Sequence, residues 1–282
     1  MPSQDVEVVE KLSPGVYKVE LDQNGQYIVS KREVVTDKLI DIPYPEMQEV
    51  MDSIKEFYAS KELFEKWDFV FKRGFLMHGP PGGGKTSIIS RVINYVAEEL
   101  GGVVFTVYNE ADLKAYAGFI DKVFRQIEPT TPVVTVLEDI DGLTGGWSST
   151  ETLLINMLDG LGNHKNVLNI ATTNYPERLS DRIMKRPNRF DRKIEIKTPD
   201  ANARKVYFEQ RILAEYQCCD EFSMDEWVGK TEGMTMAQMS EMIKSVCIFK
   251  VPMDKIIEKI TGKRPAASWN NTQPIGFMPQ KA

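Results

Sequence analysis

The stretch Gly79-Pro80-Pro81-Gly82-Gly83-Gly84-Lys85-Thr86 decides the fold. It has the form G-x-x-x-x-G-K-[ST], in which glycines let backbone N–H groups turn inward and surround an anion. The lysine near its end adds a positive charge, and the hydroxyl of Thr86 can ligate Mg²⁺. The motif therefore predicts a phosphate-binding P-loop, with these eight residues and the adjacent Ser87 as the nucleotide contacts.

The sequence on either side supplies the strand and the helix that such a loop requires. Residues 73–78 are mostly apolar and predict a short buried strand, and Ile88, Val92 and Val96 recur at helical spacing after the loop. Three more apolar, β-branched runs are typical of central parallel strands: residues 103–107, 133–137 and 167–174. Alternating strands and helices predict an α/β fold, a P-loop NTPase with a doubly wound parallel sheet.

The chain divides into four predicted regions. Residues 1–45 form a short N-terminal β-hairpin region, because residues 15–21 and 26–30 alternate apolar and polar side chains around an Asn24-Gly25 turn. This region is either a small recruiting domain or an arm packed on the main domain. The other regions are residues 46–199, a large α/β ATPase subdomain with a helical linker; residues 200–262, a small C-terminal helical lid; and residues 263–282, a flexible tail.

The composition restricts the function classes. The 282 residues include 35 Lys and Arg against 41 Asp and Glu, a net charge of −6, which disfavours a broad nucleic-acid-binding face. Three cysteines (Cys218, Cys219 and Cys247) have no spacing typical of a zinc site or of a disulfide framework. We see no signal peptide and no apolar run long enough to span a bilayer. We therefore expect a cytoplasmic protein without membrane contact.

Together the motifs resemble the AAA family within the AAA+ ATPases, over roughly residues 70–250. They follow the family order: Walker A at residues 79–86, Walker B at 133–141, a helix ending in Leu-Asp-Gly at 158–160, the sensor-1 strand at 171–174, the arginine-finger box at 186–192 and the lid entry at 199–204. The lead-in Arg73-Gly74-Phe75-Leu76 and the order Glu138-Asp139 are similar to the AAA chaperone type that assembles mitochondrial respiratory complex III. We expect no counterpart of that type's membrane anchor.

The resemblance implies ATP and Mg²⁺ as cofactors and gives the first motifs their roles. Lys85 would neutralise phosphate charge, Thr86 would ligate Mg²⁺, and Glu138 would hold the ion through a water. Asp139 would polarise the attacking water. Because the usual order of the two carboxylates is Asp-Glu, which of the pair is the base stays open.

The later motifs imply a site that is shared between subunits. Asn174 would orient the water or sense the γ-phosphate, and Arg186 and Arg189 would reach the ATP of a neighbouring subunit. A homo-oligomeric ring, by resemblance a hexamer, follows from this arrangement. The structural alternatives are a loop-capping amide for Asn174 and a solvated basic turn for the arginines. In the lid, Met236 replaces the glycine that the family usually has near the adenine.

Two aromatic residues are candidate contacts for a protein or peptide substrate in the ring pore. Tyr116 lies in a segment, residues 108–118, that we predict to be irregular, and it resembles the aromatic–hydrophobic–Gly pore loop. Trp147 lies in a Gly/Ser-rich loop. A packed aromatic side chain is the alternative for Tyr116.

These features predict an ATP-hydrolysing AAA+ motor of the protein-remodelling, unfoldase or chaperone kind. The alternative is a nucleic-acid-associated AAA+ ATPase, such as a loader or helicase helper. A P-loop nucleotide kinase or GTPase switch is a third hypothesis, which the paired arginines and the helical lid oppose.

Overall fold

Seven strands form one sheet in the computed structural model of the chain, which describes residues 10–33, 45–144, 149–159, 166–186, 188–213 and 223–262. The strands are β1 Gly15–Leu21, β2 Tyr27–Arg32, β3 Lys72–His78, β4 Val103–Val107, β5 Val133–Leu137, β6 Val167–Thr173 and β7 Arg192–Glu195. Their order is β2-β1-β4-β5-β6-β3-β7, and every neighbouring pair except β1–β2 is parallel. The predicted α/β fold with a doubly wound parallel sheet is confirmed.

The α-helices of the described residues are α1 Pro45–Ala59, α2 Lys61–Lys66, α3 Lys85–Asn94, α4 Glu110–Phe119, α5 Arg125–Ile127, α6 Ser149–Asp159, α7 Asp181–Met184, α8 Ala201–Phe208, α9 Met224–Lys230, α10 Met236–Ile243 and α11 Met253–Thr261. Helices α3, α4, α8 and α10 continue as π-helical turns over Tyr95–Glu99, Ile120–Phe124, Glu209–Leu213 and Lys244–Ile248. In this part of the chain, no helix is both long and apolar enough to cross a membrane.

The predicted N-terminal hairpin is confirmed, and it forms one edge of the sheet. Leu21 pairs with Tyr27 across the turn. The Asp22 carboxylate accepts hydrogen bonds of 2.8 Å from the N–H groups of Asn24 and Gln26, which fixes that turn. Strand β1 also pairs in parallel with β4. The hairpin is therefore an arm packed on the main sheet.

Residues 108–118, which we predicted to be irregular, form most of helix α4 instead. Asn109 caps this helix, since its side-chain oxygen accepts a 2.9 Å hydrogen bond from the N–H of Asp112. Leu113, Tyr116 and Ile120 are then buried in one core cluster. Their spacing of three and four residues is a helical signal that the short aromatic motif had obscured.

Apolar side chains pack on both faces of the central strands, and the parallel pairing of these strands places the predicted motifs at one edge of the sheet. One face packs on α4 and α6, and the other packs on α1 and α3. Helices α8 to α11 have a separate core, built around Phe208, Trp227 and Met239. Because β3, β5 and β6 are parallel neighbours, the loops that follow them meet at the same carboxyl edge.

The packing at Gly74 predicts a large effect for a small substitution. A Cβ atom at this position would lie 1.7 Å from the carbonyl oxygen of Arg189, which belongs to the backbone and cannot rotate away. We expect Gly74→Ala to lower the free energy of unfolding by about 3 kcal/mol, the cost of overpacking a core site. Urea unfolding measures the difference. Gly229→Ala is the control: a Cβ there meets nothing within 4 Å, so stability should stay equal or rise slightly.

Candidate functional site

The P-loop connects the buried strand β3 to helix α3 at the carboxyl edge of the sheet. Gly84 ends the loop with a left-handed backbone (φ 103°, ψ 7°), which glycine adopts without steric cost and which lets α3 begin at Lys85. The side chains of Thr86 and Ser87 are exposed in the first helical turn. The unpaired N–H groups and the dipole of this helix favour an anion at its start.

Lys85 lies over the loop with its charge directed at backbone and side-chain oxygens. Its Nζ donates hydrogen bonds to the carbonyls of Gly79 (2.8 Å) and Pro80 (3.0 Å) and to Oδ1 of Asn174 (2.7 Å). Burial lowers the pKa of Lys85, and the negative charge of Asp139 opposes that shift. A partly desolvated ammonium attracts a phosphate more strongly than one in bulk water does.

Asn174 joins the P-loop to the end of strand β5. Its Oδ1 accepts from Lys85, and its Nδ2 donates to Oδ1 of Asp139 at 3.2 Å. Asp139 is exposed and has a left-handed backbone (φ 48°, ψ 50°), and its N–H donates to the hydroxyl of Thr172 at 3.2 Å. Such backbone conformations are uncommon for non-glycine residues and concentrate at functional sites. Three predicted residues thus form one hydrogen-bonded chain, Lys85–Asn174–Asp139.

Two more acidic residues lie beside this chain. Glu138 is half-buried. Burial is the larger cause that raises its pKa, and the negative charge of the nearby Asp139 raises the pKa further. Asp141 accepts a 2.6 Å hydrogen bond from the hydroxyl of Thr173, which itself accepts from the N–H of Tyr175 at 2.9 Å. Sequence reasoning had not assigned a role to Thr172 or Thr173. The sequence gives one indication of a role for them: both threonines come at the end of a predicted buried strand, directly before Asn174.

A family comparison agrees with this geometry. Residues 75–198 match the profile of the ATPase family associated with various cellular activities (AAA). The match includes the P-loop and the hydrogen-bonded chain to Asp139. We call residues 75–198, which match this family, the AAA domain.

Several proteins are similar to the chain around this AAA domain. They include the ATP-dependent zinc metalloprotease FtsH of Mycobacterium bovis (29% identical over 218 residues), Protein SAV of Sulfolobus acidocaldarius (27% over 220) and the ATPase family gene 2 protein of Schizosaccharomyces pombe (25% over 228). The alignments cover 72%, 72% and 77% of this chain, but only 28%, 27% and 28% of those proteins. The chain thus spans less than a third of the length of these relatives.

The structure separates the two arginines that we predicted to act together in the AAA domain. Arg186 is exposed. Arg189 is only 1% exposed, and its guanidinium binds both carboxylate oxygens of Asp159 at 2.6 and 2.7 Å and the carbonyl of Arg182. The sequence pattern predicted that both side chains reach a neighbour's nucleotide. In the structure Arg186 is exposed at the surface of the chain, whereas Arg189 is buried. Arg189 therefore links residues of its own chain.

The Arg189–Asp159 pair predicts a loss of stability that a surface arginine would not cause. We expect Arg189→Met to lower the free energy of unfolding by about 3 kcal/mol, because Asp159 loses its partner at a largely buried site. The Arg189 hydrogen bonds lower the pKa of Asp159. The pair therefore contributes its full stabilisation of the fold above the ordinary aspartate pKa. This stabilisation is lost as the pH falls through the lowered pKa of Asp159. Urea unfolding from pH 7 downward measures both effects. Lys185→Met, at an exposed pair with Asp181, is the control and should cost less than 0.5 kcal/mol.

The two predicted pore contacts have different outcomes. Tyr116 is only 1% exposed, and its hydroxyl lies 2.5 Å from Oγ1 of Thr135 on strand β5. Burial raises its pKa to about 12. This corrects the pore-loop hypothesis for Tyr116: helix α4 turns the ring into the core, as the packed-aromatic alternative had it. Trp147 lies outside the described residues.

The C-terminal helices contact the P-loop of the AAA domain directly. The N–H of Ala237, in the first turn of α10, donates to the carbonyl of Gly82 at 3.2 Å. A Cβ on Gly84 would lie 3.7 Å from Cγ of Met236, which is ordinary van der Waals contact. Thr235 and Gln238 form a capping box that fixes the start of this helix. Met236 therefore lies beside the P-loop.

Proposed function

We propose that the AAA domain binds ATP together with Mg²⁺ and hydrolyses the terminal phosphate bond. The observation that carries this proposal is the hydrogen-bonded chain from Lys85 through Asn174 to Asp139. It holds a phosphate-binding cation and an exposed carboxylate at one edge of the sheet. In phosphoryl transfer, proteins act chiefly by positioning the nucleotide, the metal and a water and by stabilising charge. This arrangement would provide both the positioning and the charge stabilisation.

Thr86 and Glu138 would hold the magnesium ion. The Thr86 hydroxyl is exposed next to Lys85, and the half-buried Glu138 directly precedes Asp139. Oxygen ligands of this kind suit Mg²⁺, which binds through one or two carboxylates plus substrate phosphates and keeps several waters. When bound, the ion would neutralise negative charge on the β- and γ-phosphate oxygens.

Asp139 is the member of the acidic pair that we assign to the attacking water. It is exposed, and Asn174 holds it in the same network as Lys85. The nucleotide terminus that Lys85 binds would thus lie close to a carboxylate able to accept a proton. Asn174 would orient the same water through its amide.

We further propose that the active form is a homo-oligomeric ring, with six subunits by resemblance to AAA proteins. The exposed Arg186 would add a second positive charge at the γ-phosphate of the neighbouring subunit, beside that subunit's own Lys85. Residues 46–199 would act as the large subdomain and residues 200–262 as the lid. The similarity to the complex III assembly chaperone type stays a hypothesis based on two sequence features.

For the substrate we propose a polypeptide that the ring remodels. The FtsH relatives are named as proteases, which is a property of those proteins and supports the protein-substrate hypothesis here only by similarity. Trp147 remains the predicted pore contact.

ATP hydrolysis by the full chain, measured as phosphate release with Mg²⁺ or EDTA, tests the activity. We expect turnover per subunit to rise with protein concentration as rings form, because each site needs a neighbour's arginine. Light scattering on the same samples gives the mass. Absence of Mg²⁺-dependent hydrolysis at every concentration would overturn the proposal, and equal turnover by a strict monomer would overturn the shared site.

A trapped variant tests the substrate class. Glu138→Gln/Asp139→Asn should bind ATP without hydrolysing it and retain whatever occupies the ring. A co-purifying polypeptide supports the remodelling function. Retained nucleic acid, together with DNA-stimulated ATP hydrolysis that falls steeply with salt, would favour the loader or helicase-helper alternative.

A further inference from the structure

A cavity of about 380 Å³ lies between helix α4, with its π-helical continuation, and helix α6. Its lining residues on the α4 side are spaced by three, one and three positions, and those on the α6 side by three and one. Each helix therefore presents a single face to the cavity. The volume falls within the range of small-molecule sites. None of the lining residues belongs to the Lys85–Asn174–Asp139 chain, so the cavity is a separate candidate site.

Small residues form part of the α4 wall, and the N-terminal hairpin fixes that wall. Ala117 and Gly118 line the cavity with little side-chain volume. Tyr27 of strand β2 packs on the same turn of the helix. Its ring lies edge-on to Phe119 with centroids 5.7 Å apart, and a Cβ on Gly118 would lie 2.3 Å from its hydroxyl oxygen. The wall is therefore pre-formed, which lowers the ordering cost of binding.

Apolar side chains from α6 form the opposite wall. Met157 is only 3% exposed, and Leu153 is partly buried against the same core cluster. Both contribute hydrocarbon surface to the cavity. Methionine is unbranched and adapts its shape to what it contacts. A ligand that fits between these walls needs an apolar part.

Two opposite charges lie on the α4 side of the cavity. Lys114 and Asp121 are seven residues apart on the same helix face, about 10 Å along the axis. Lys114 pairs with Glu110 at the surface, a kind of pair that contributes little and leaves ammonium N–H groups for other acceptors. Asp121 is half-buried, and a carboxylate accepts several hydrogen bonds at once. A complementary ligand is anionic at one end and cationic at the other.

Asn156 of α6 adds a neutral polar group to the cavity. Its side chain is exposed at the cavity wall. A side-chain amide offers both an acceptor and donors, the same pair of functions that a peptide group presents. The cavity thus combines a partner for a peptide bond with apolar walls and two charges of opposite sign.

We propose that this cavity binds a free tripeptide with an apolar central side chain. Three extended residues span about 10 Å, which matches the axial distance between the two charges. The terminal carboxylate would lie at Lys114 and the terminal ammonium at Asp121, while Asn156 contacts a peptide group. The central side chain would pack on Leu153 and Met157. A segment inside a polypeptide lacks both terminal charges and is not the ligand that this arrangement favours.

Calorimetric titration of the full chain with Ala-Leu-Ala, in the absence of nucleotide, tests the proposal. We expect a dissociation constant of about 1 mM or lower. N-acetylation or C-amidation of the tripeptide should each weaken binding by about tenfold or more, because each removes a hydrogen-bonded charge from the ligand.

Variants assign the two ends of the ligand. Lys114→Met should weaken binding of Ala-Leu-Ala as amidation does, and it should leave binding of the amidated tripeptide unchanged, because that ligand has already lost its carboxylate. Asp121→Asn should behave in the same way toward the acetylated tripeptide. Lys122→Met, at an exposed lysine that does not line the cavity, is the matched control and should bind Ala-Leu-Ala normally. Thermal unfolding midpoints check that each variant is folded.

Methyl NMR of isotope-labelled methionine places the ligand. The signal of Met157, assigned by its loss in Met157→Leu, should shift when Ala-Leu-Ala is added. A tripeptide that does not bind, caps that make no difference, Lys114→Met without effect, or an unshifted Met157 signal would overturn the inference. Because these titrations contain no nucleotide, each of those results leaves the proposed ATP hydrolysis standing.

Discussion

Replacement of Arg186 by alanine should lower ATP turnover of the assembled protein by about a thousandfold, the lower end of what an arginine supplied to a γ-phosphate contributes. Because Arg186 is exposed, the free energy of unfolding should change by less than about 0.5 kcal/mol. Steady-state phosphate release and urea unfolding measure the two quantities. Lys185→Ala, the adjacent exposed cation, is the matched control and should retain full turnover.

Mixing variants shows whether Arg186 acts on its own subunit or on a neighbour. Arg186→Ala and Asp139→Asn should each be nearly inactive alone. In a mixed ring, some sites combine the intact Asp139 of one subunit with the intact Arg186 of the next, so turnover should partly return. If mixing restores nothing although the rings are shown to contain both variants, Arg186 acts within its own subunit.

Local sequence patterns predicted the sheet and the P-loop because their signals lie within a few residues of one another. The glycines and Lys85, the β-branched run before Glu138 and the polar end of β6 before Asn174 each specify a local conformation. Parallel pairing then places these ends side by side. That geometry follows from topology, and it explains why the structure brings Lys85, Asn174 and Asp139 together.

The misassigned features depend on partners that are distant in sequence. Arg189 and Asp159 are separated by 30 residues, and no local pattern shows that they pair. Tyr116 matched a three-residue motif, while its actual position follows from the helical spacing with Leu113 and Ile120 and from its contact with Thr135. Short motifs therefore predicted well where the strands end, but they did not predict that the side chains of Arg189 and Tyr116 point into the protein.

The division of roles between the two carboxylates predicts different kinetics for their amides. Asp139→Asn keeps the shape and the left-handed backbone that Asn tolerates, so ATP binding should be retained. Turnover should fall by about 100- to 10,000-fold, the range for loss of a general base. Glu138→Gln should instead raise the Mg²⁺ concentration needed for half-maximal turnover. If the two effects are exchanged, Glu138 is the base and Asp139 the metal ligand.

The pH dependence of Glu138 adds an independent test of its role. Burial and Asp139 raise its pKa, so its carboxylate is lost on acidification at a higher pH than an ordinary glutamate. We expect an acid limb in kcat/KM for MgATP above the usual glutamate range, and no such limb in Glu138→Gln. Because the folded state binds this proton more tightly than the unfolded state, ionisation of Glu138 costs stability at neutral pH, and Glu138→Gln should melt at a higher temperature. A variant that is less active yet more stable fits a carboxylate placed for chemistry, whereas a lower melting temperature would show that Glu138 holds the fold together.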